Sequence, residues 1–235
     1  MTVTVSRHRP RRFYTFIGLA MSIIVLIGFS RTYYLKAWFD TPPLTLRLHL
    51  HGLVMTLWLA AFVVQARLIA AGQRNLHKTL GVLVVGLAAA AVVTTYGAAI
   101  ETAHLQPPTG RLSPADRLYS QLLLVTLFGV FVAAGTAFRK RPEIHKRFML
   151  LATIAALGPG IARAVPLIIG PGWRDVHIPV MAVLVLSGLV YDWRTRGRPH
   201  WVLLCGGAVL IGLQLTRRLV GRSESWGQIA NWLIG

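Results

Sequence analysis

Glu101 and His104 stand three residues apart, a spacing that on a helix lets both side chains reach one metal ion. His51 is followed by Met55, Trp58, Phe62 and Gln65 at helical spacing, so the five share one face. Thr94, Gly97, Glu101 and His104 form a second such stripe, and Asp175-x-His177 opens a later apolar run. Imidazoles and carboxylates from three helices are therefore expected at similar depth. Two chemistries fit them. One is a haem b held by two histidines from different helices. The other is a copper, iron or zinc ion bound by His51, Glu101, His104 and His177. A di-iron centre needs two Glu-x-x-His units, and the chain supplies one.

Arg163 follows the triplet GPG at 158–160, which should break or kink its helix. At the helical rise it lies about 25 Å beyond Lys146, inside an apolar run. An ionisable residue in such a run is a functional candidate by default. Its expected partner is Glu101, a haem propionate or an anionic substrate. The cofactor-binding set is then His51, His104, His177 and Arg163. The plainer reading makes each helix-end histidine an interfacial polar group, Arg163 a side chain that snorkels to the surface, and the Met55–Trp58–Phe62 stripe ordinary packing.

The elements that must position these residues are membrane spans. Of 235 residues 54% are hydrophobic and only 14% charged, against about 25% charged in soluble domains. A bilayer-crossing helix needs about 20 mostly apolar residues. Runs of that kind fall near 13–30, 48–70, 78–100, 119–138, 147–169, 177–192 and 201–219. The fold expected is all-α: a polytopic bundle of seven transmembrane helices at 13–219, after a basic tail at 1–12 and before a short amphipathic tail at 220–235 with Trp226 and Trp232. The first run has a basic flank but no small-x-small cleavage site, and reads as a retained anchor helix.

The net charge of +18 comes from 25 Lys and Arg against 7 acids. These basic residues lie between apolar runs rather than on one polar face, which excludes nucleic acid and makes them a topology signal. With the N-terminus inside, the inner segments hold Arg7, Arg9, Arg11 and Arg12; Arg67, Arg74 and Lys78; Arg139, Lys140, Arg141, Lys146 and Arg147; and Arg194, Arg196 and Arg198. Asp40, Glu101, Asp116, Asp175 and Glu224 fall on the other side. The expectation is N-in, C-out in the inner cell membrane, with the lipid bilayer as first partner and a membrane complex or homo-oligomer as further ones. The single Cys205 excludes an intrachain disulfide and a thiolate metal site.

An internal repeat runs through the spans. LHKTLGVLVVGLAAA at 76–90 aligns with IHKRFMLLATIAALG at 144–158, and RPHWVLLCGGAVL at 198–210 is a weaker third copy. Three helices thus open on a histidine, His77, His145 and His200, each shortly after an arginine (Arg74, Arg141, Arg198). The plan this implies is an anchor helix followed by three helical hairpins.

The segments HGLVMTLWLAAFVVQARLIAAGQRNLHKTLG (51–81) and RPEIHKRFMLLATIAAL (141–157) resemble a family of bacterial multi-spanning membrane proteins without an assigned activity. Its members share a His, a following Trp and Gln, a basic turn and a Leu-His-basic-x-Leu-Gly start to the next helix. The layout of His51, Gly52, Met55 and Trp58 is also similar to transmembrane b-type cytochromes, although no clean second histidine pair lies deep in the bilayer. A further similarity in layout is to membrane proteins that assist oxidase maturation. These likenesses imply haem or metal binding near the outer face, in redox chemistry or respiratory-complex assembly. The residues alone leave open a small-molecule or lipid transporter built on Arg163 and the kinked helix, and an accessory subunit. No GxSxG, P-loop, HExxH or dinucleotide glycine motif points to a soluble-type enzyme.

Overall fold

The computed structural model describes residues 12–105, 113–170 and 176–234, so the expectations placed on Arg7, Arg9, Arg11 and Asp175 lie outside the described residues. Every regular element within them is helical. Helix α1 spans Phe13–Gly28 and passes into a π-helical turn at Ser30–Tyr34, followed by a short 3-10 turn at Lys36–Trp38. Then come α2 (Leu46–Ala70), α3 (Arg74–Leu105), α4 (Pro114–Ala137), α5 (Pro142–Ala156), α6 (Gly158–Ile169), α7 (His177–Arg196), α8 (Trp201–Gly221) and α9 (Glu224–Ile234).

Each apolar run of the sequence falls on a helix, but the helices are not alike. Among the described residues α2, α3, α4, α7 and α8 are each long and apolar enough to cross a membrane alone. The fifth run is two helices, α5 and α6, bent by 56°. Helix α1, at 16 residues, is shorter than a span. The break follows from Gly158-Pro159-Gly160: proline has no amide hydrogen to donate and its ring clashes with the preceding turn.

Local signals set the helix ends. Thr45 caps α2 by accepting from the Leu48 amide at 3.3 Å. Ser113 and Asp116 form a reciprocal capping box before α4, with Pro114 at its first position. Gly72 and Gly197, at φ +78° and +74°, end α2 and α7 in the left-handed region that favours glycine.

The two ends of the bundle can be told apart by contacts. At the basic end, Phe13 of α1 stacks on Tyr191 of α7 at 4.2 Å, and His77 of α3 lies against His145 of α5. At the far end, Tyr34 bonds Thr56 of α2 at 2.8 Å, and Trp226 of α9 donates to the Ala115 carbonyl of α4 at 2.9 Å. Helix α2 packs on α3, α3 on α4, α4 on α5, and α8 on α4, α5 and α7. Leu150, Leu151, Ile154, Met181, Leu203 and Leu210 form the centre of the core. Val82, Leu83 and Val93 on α3 and Leu215 and Leu219 on α8 face outward, a distribution suited to lipid rather than water.

Helix α6 leaves the bundle axis and lies on α1. A Cβ on Gly28 would collide with the Gly160 carbonyl oxygen, so the two backbones meet where only glycine fits. This crossing holds the outer segment of the broken span beside the end of α1.

Candidate functional site

The face of α2 that begins at His51 packs inward as its spacing implies. Trp58 and Phe62 are buried, and Trp58 meets Phe128 of α4 edge-on at 4.8 Å. Two turns nearer the far end, His51 Nδ1 lies 3.4 Å from the Thr95 hydroxyl oxygen on α3. Thr95 spends its own proton on the Ala91 carbonyl at 2.6 Å. Met55 lines the same spot, its sulfur 3.9 Å from the Thr95 hydroxyl.

Arg163 sits on α6 just beyond the break. Its Nη1 donates to the Pro159 carbonyl at 3.1 Å, and the guanidinium lies over the Phe29 ring at 4.7 Å. The side chain is exposed. Among the described residues no carboxylate pairs with it. Within an apolar span an uncompensated guanidinium is costly.

The other expected site residues have different surroundings. Glu101 is taken by the start of α2: Thr45 donates to its Oε1, and Arg47 Nε stands 3.7 Å from Oε2. It is therefore not the partner of Arg163. His104 is exposed, whereas His177, the first residue of α7, is buried. Among the described residues no three His, Cys, Asp or Glu side chains are grouped as a metal ion would require. Of the expected set, His51 on α2 and Arg163 on α6 both lie toward the far end.

The basic end holds a buried ion network that residue spacing does not reveal. Arg147 of α5 and Asp192 of α7 are both fully buried. Arg147 Nε donates to Asp192 Oδ2 at 2.8 Å and Nη2 donates to Oδ1. Nη1 meets Glu143 Oε2 at 2.8 Å, and Glu143 also binds Lys146 at 2.8 Å and Arg196. The His200 amide donates to Asp192 Oδ2 at 3.3 Å, which draws in the start of α8. A lone carboxylate at the close of an apolar run, Asp192, is the sequence signal that marks this cluster.

The three repeat histidines have separate tasks. His145 Nδ1 donates to the Gly135 carbonyl at 2.8 Å, tying α5 to α4. His77 is held by Gln65, whose amide, turned to suit its neighbours, donates to the His77 carbonyl at 3.2 Å and to the ring Nδ1. His200 instead caps α8, its Nδ1 accepting from the Val202 amide at 3.2 Å. Burial, and then the charges of Arg147 and Arg196, hold the His200 pKa below the ordinary histidine value of 6.5.

No protein-family model, curated protein or solved structure matches this chain.

Proposed function

We propose that the chain is a seven-span integral membrane carrier whose far-end cleft binds the anionic head of an amphipathic small molecule or lipid at Arg163 and His51. The observation that carries this reading is the guanidinium of Arg163, exposed just beyond the helix break over the Phe29 ring and, among the described residues, without a carboxylate. An anion supplied from outside the chain completes the pair. Carriers commonly place such a site at a broken helix, and α5–α6 is broken immediately before Arg163. The apolar lining, Phe29 and Met55, suits a ligand body that partitions into lipid.

Helix α1 and its π-helical continuation to Tyr34 supply the seventh span, and the basic end faces the cytoplasm by the positive-inside rule. That orientation puts the cleft on the outer side of the inner cell membrane. The resemblance of 51–81 and 141–157 to bacterial multi-spanning proteins belongs to the same reading.

A narrower form takes haem b as the ligand. His51 would then hold the iron through a ring nitrogen, and Arg163 would meet a propionate. Protein purified in mild detergent tests both forms. Mass spectrometry of the extracted small molecules is expected to show an anionic amphiphile in the native chain and its loss in Arg163→Gln. A Soret band that disappears in His51→Ala selects haem. Identical extracts from native and Arg163→Gln protein would count against both.

A further inference from the structure

The basic end carries a charged patch that the far-end cleft does not use. The α2–α3 turn contributes Arg74 and Lys78, and the α4–α5 turn contributes Arg139, Lys140 and Arg141, all exposed. The two turns are neighbours, because the His77 and His145 rings meet at 6.2 Å between them. Among the described residues the carboxylates at this end, Glu143 and Asp192, are already taken by Lys146, Arg147 and Arg196. These five cations therefore have no acidic partner.

The surface between them is shaped as well as charged. A shallow concavity at the α2–α3 turn is lined by Gly72, Gln73, Arg74, Asn75 and Leu76, which present amide and guanidinium donors. Across from it, the Arg141 guanidinium stands over the Phe138 ring at 5.9 Å, which limits its rotamers. Both turns close helices long enough to span a membrane, so they lie at the depth of a leaflet's phosphates. Arginine forks match phosphate oxygens in geometry as well as charge.

We propose that the α2–α3 and α4–α5 turns together bind the phosphodiester headgroup of an anionic phospholipid, with Arg74 and Arg141 as its principal ligands. The lipid tails then lie along the outward faces of α3 and α4. This site is independent of the reading given to Arg163. It differs from a diffuse attraction to an anionic leaflet because it is local to two turns.

The full chain is reconstituted in nanodiscs of phosphatidylcholine alone or with phosphatidylglycerol, and retained lipid is counted by native mass spectrometry. Native protein is expected to retain phosphatidylglycerol selectively. Arg74→Gln/Arg139→Gln/Arg141→Gln is expected to lose roughly a hundredfold in that affinity. The control Arg67→Gln/Arg194→Gln/Arg198→Gln removes the same charge from the same end and is expected to keep it. Equal loss in the two variants would mean a diffuse field and overturn the proposal, as would equal stabilisation of the native chain by inorganic phosphate. Should the triple variant fail to fold, single Arg74→Gln against Arg67→Gln gives the same comparison.

Discussion

Arg147 on α5 and Asp192 on α7 form a two-pronged ion pair with both side chains fully buried, the Nε–Oδ2 distance being 2.8 Å. It joins two hairpins at the basic end, and through the His200 amide it also engages α8. Among the described residues the far end has no equivalent ion pair between α6 and α2; Arg163 there lies over the Phe29 ring. One end of the bundle is locked by charge while the other keeps a charge in reserve.

Breaking the clasp leaves a buried charge without a partner. Asp192→Ala is expected to destabilise the protein by about 3–5 kcal/mol, and Arg147→Met combined with Asp192→Leu by far less. Thermal unfolding in detergent of the single and double variants measures the difference. A single variant as stable as the double would show that the pair contributes little.

The crossing of α1 and α6 tolerates no side chain. Gly28→Ala is expected to push the helices apart at a cost of about 1–3 kcal/mol, since its Cβ would meet the Gly160 carbonyl. Gly81→Ala on α3, where nothing lies within 4 Å of the added Cβ, is the control and should be neutral or slightly stabilising. Similar unfolding temperatures for the two variants would remove the crossing from the description of the fold.

His200 gives a pH dependence of known sign. Its folded-state pKa is lowered, chiefly by burial, so the neutral ring is favoured in the folded protein. The stability it contributes is present above pH 6.5 and is lost as pH falls through the lowered folded value. Protonation also removes the Nδ1 lone pair that caps α8. His200→Asn, which caps without titrating, is expected to flatten the acid side of the profile. An unchanged slope in that variant would assign the effect to other groups.

Much of this architecture was legible in residue order. A helix in a bilayer must satisfy its backbone internally, so the length of an apolar run and its basic flanks mark most elements, and GPG marks the break. The π-helical end of α1 was not legible, because it depends on Tyr33 and Tyr34 docking on α2. The site was only half visible. Glu101 and His104 have a metal-like spacing along one helix, yet Thr45 and Arg47, more than fifty positions earlier, claim the carboxylate. Arg147 and Asp192 are 45 residues apart, and nothing local to either announces the other.

Orientation can be read directly by labelling. In a Cys205→Ser background, Ser223→Cys at the start of α9 is expected to react with an impermeant maleimide in intact cells. Gln73→Cys in the α2–α3 turn is expected to react only after permeabilisation. Labelling of both positions from the same side would refute an odd number of spans between them.

The most direct test is the unfolding temperature of Arg163→Leu against the native chain, each stripped of lipid and then titrated with a long-chain alkyl phosphate. Removal of an uncompensated charge should leave the ligand-free variant as stable as the native protein or more so. The native chain should gain stability with the titrant, the variant should not, and His51→Ala should fall between them. If Arg163→Leu unfolds well below the native chain, or if both gain equally from the titrant, Arg163 is a structural residue and the cleft is not its ligand site.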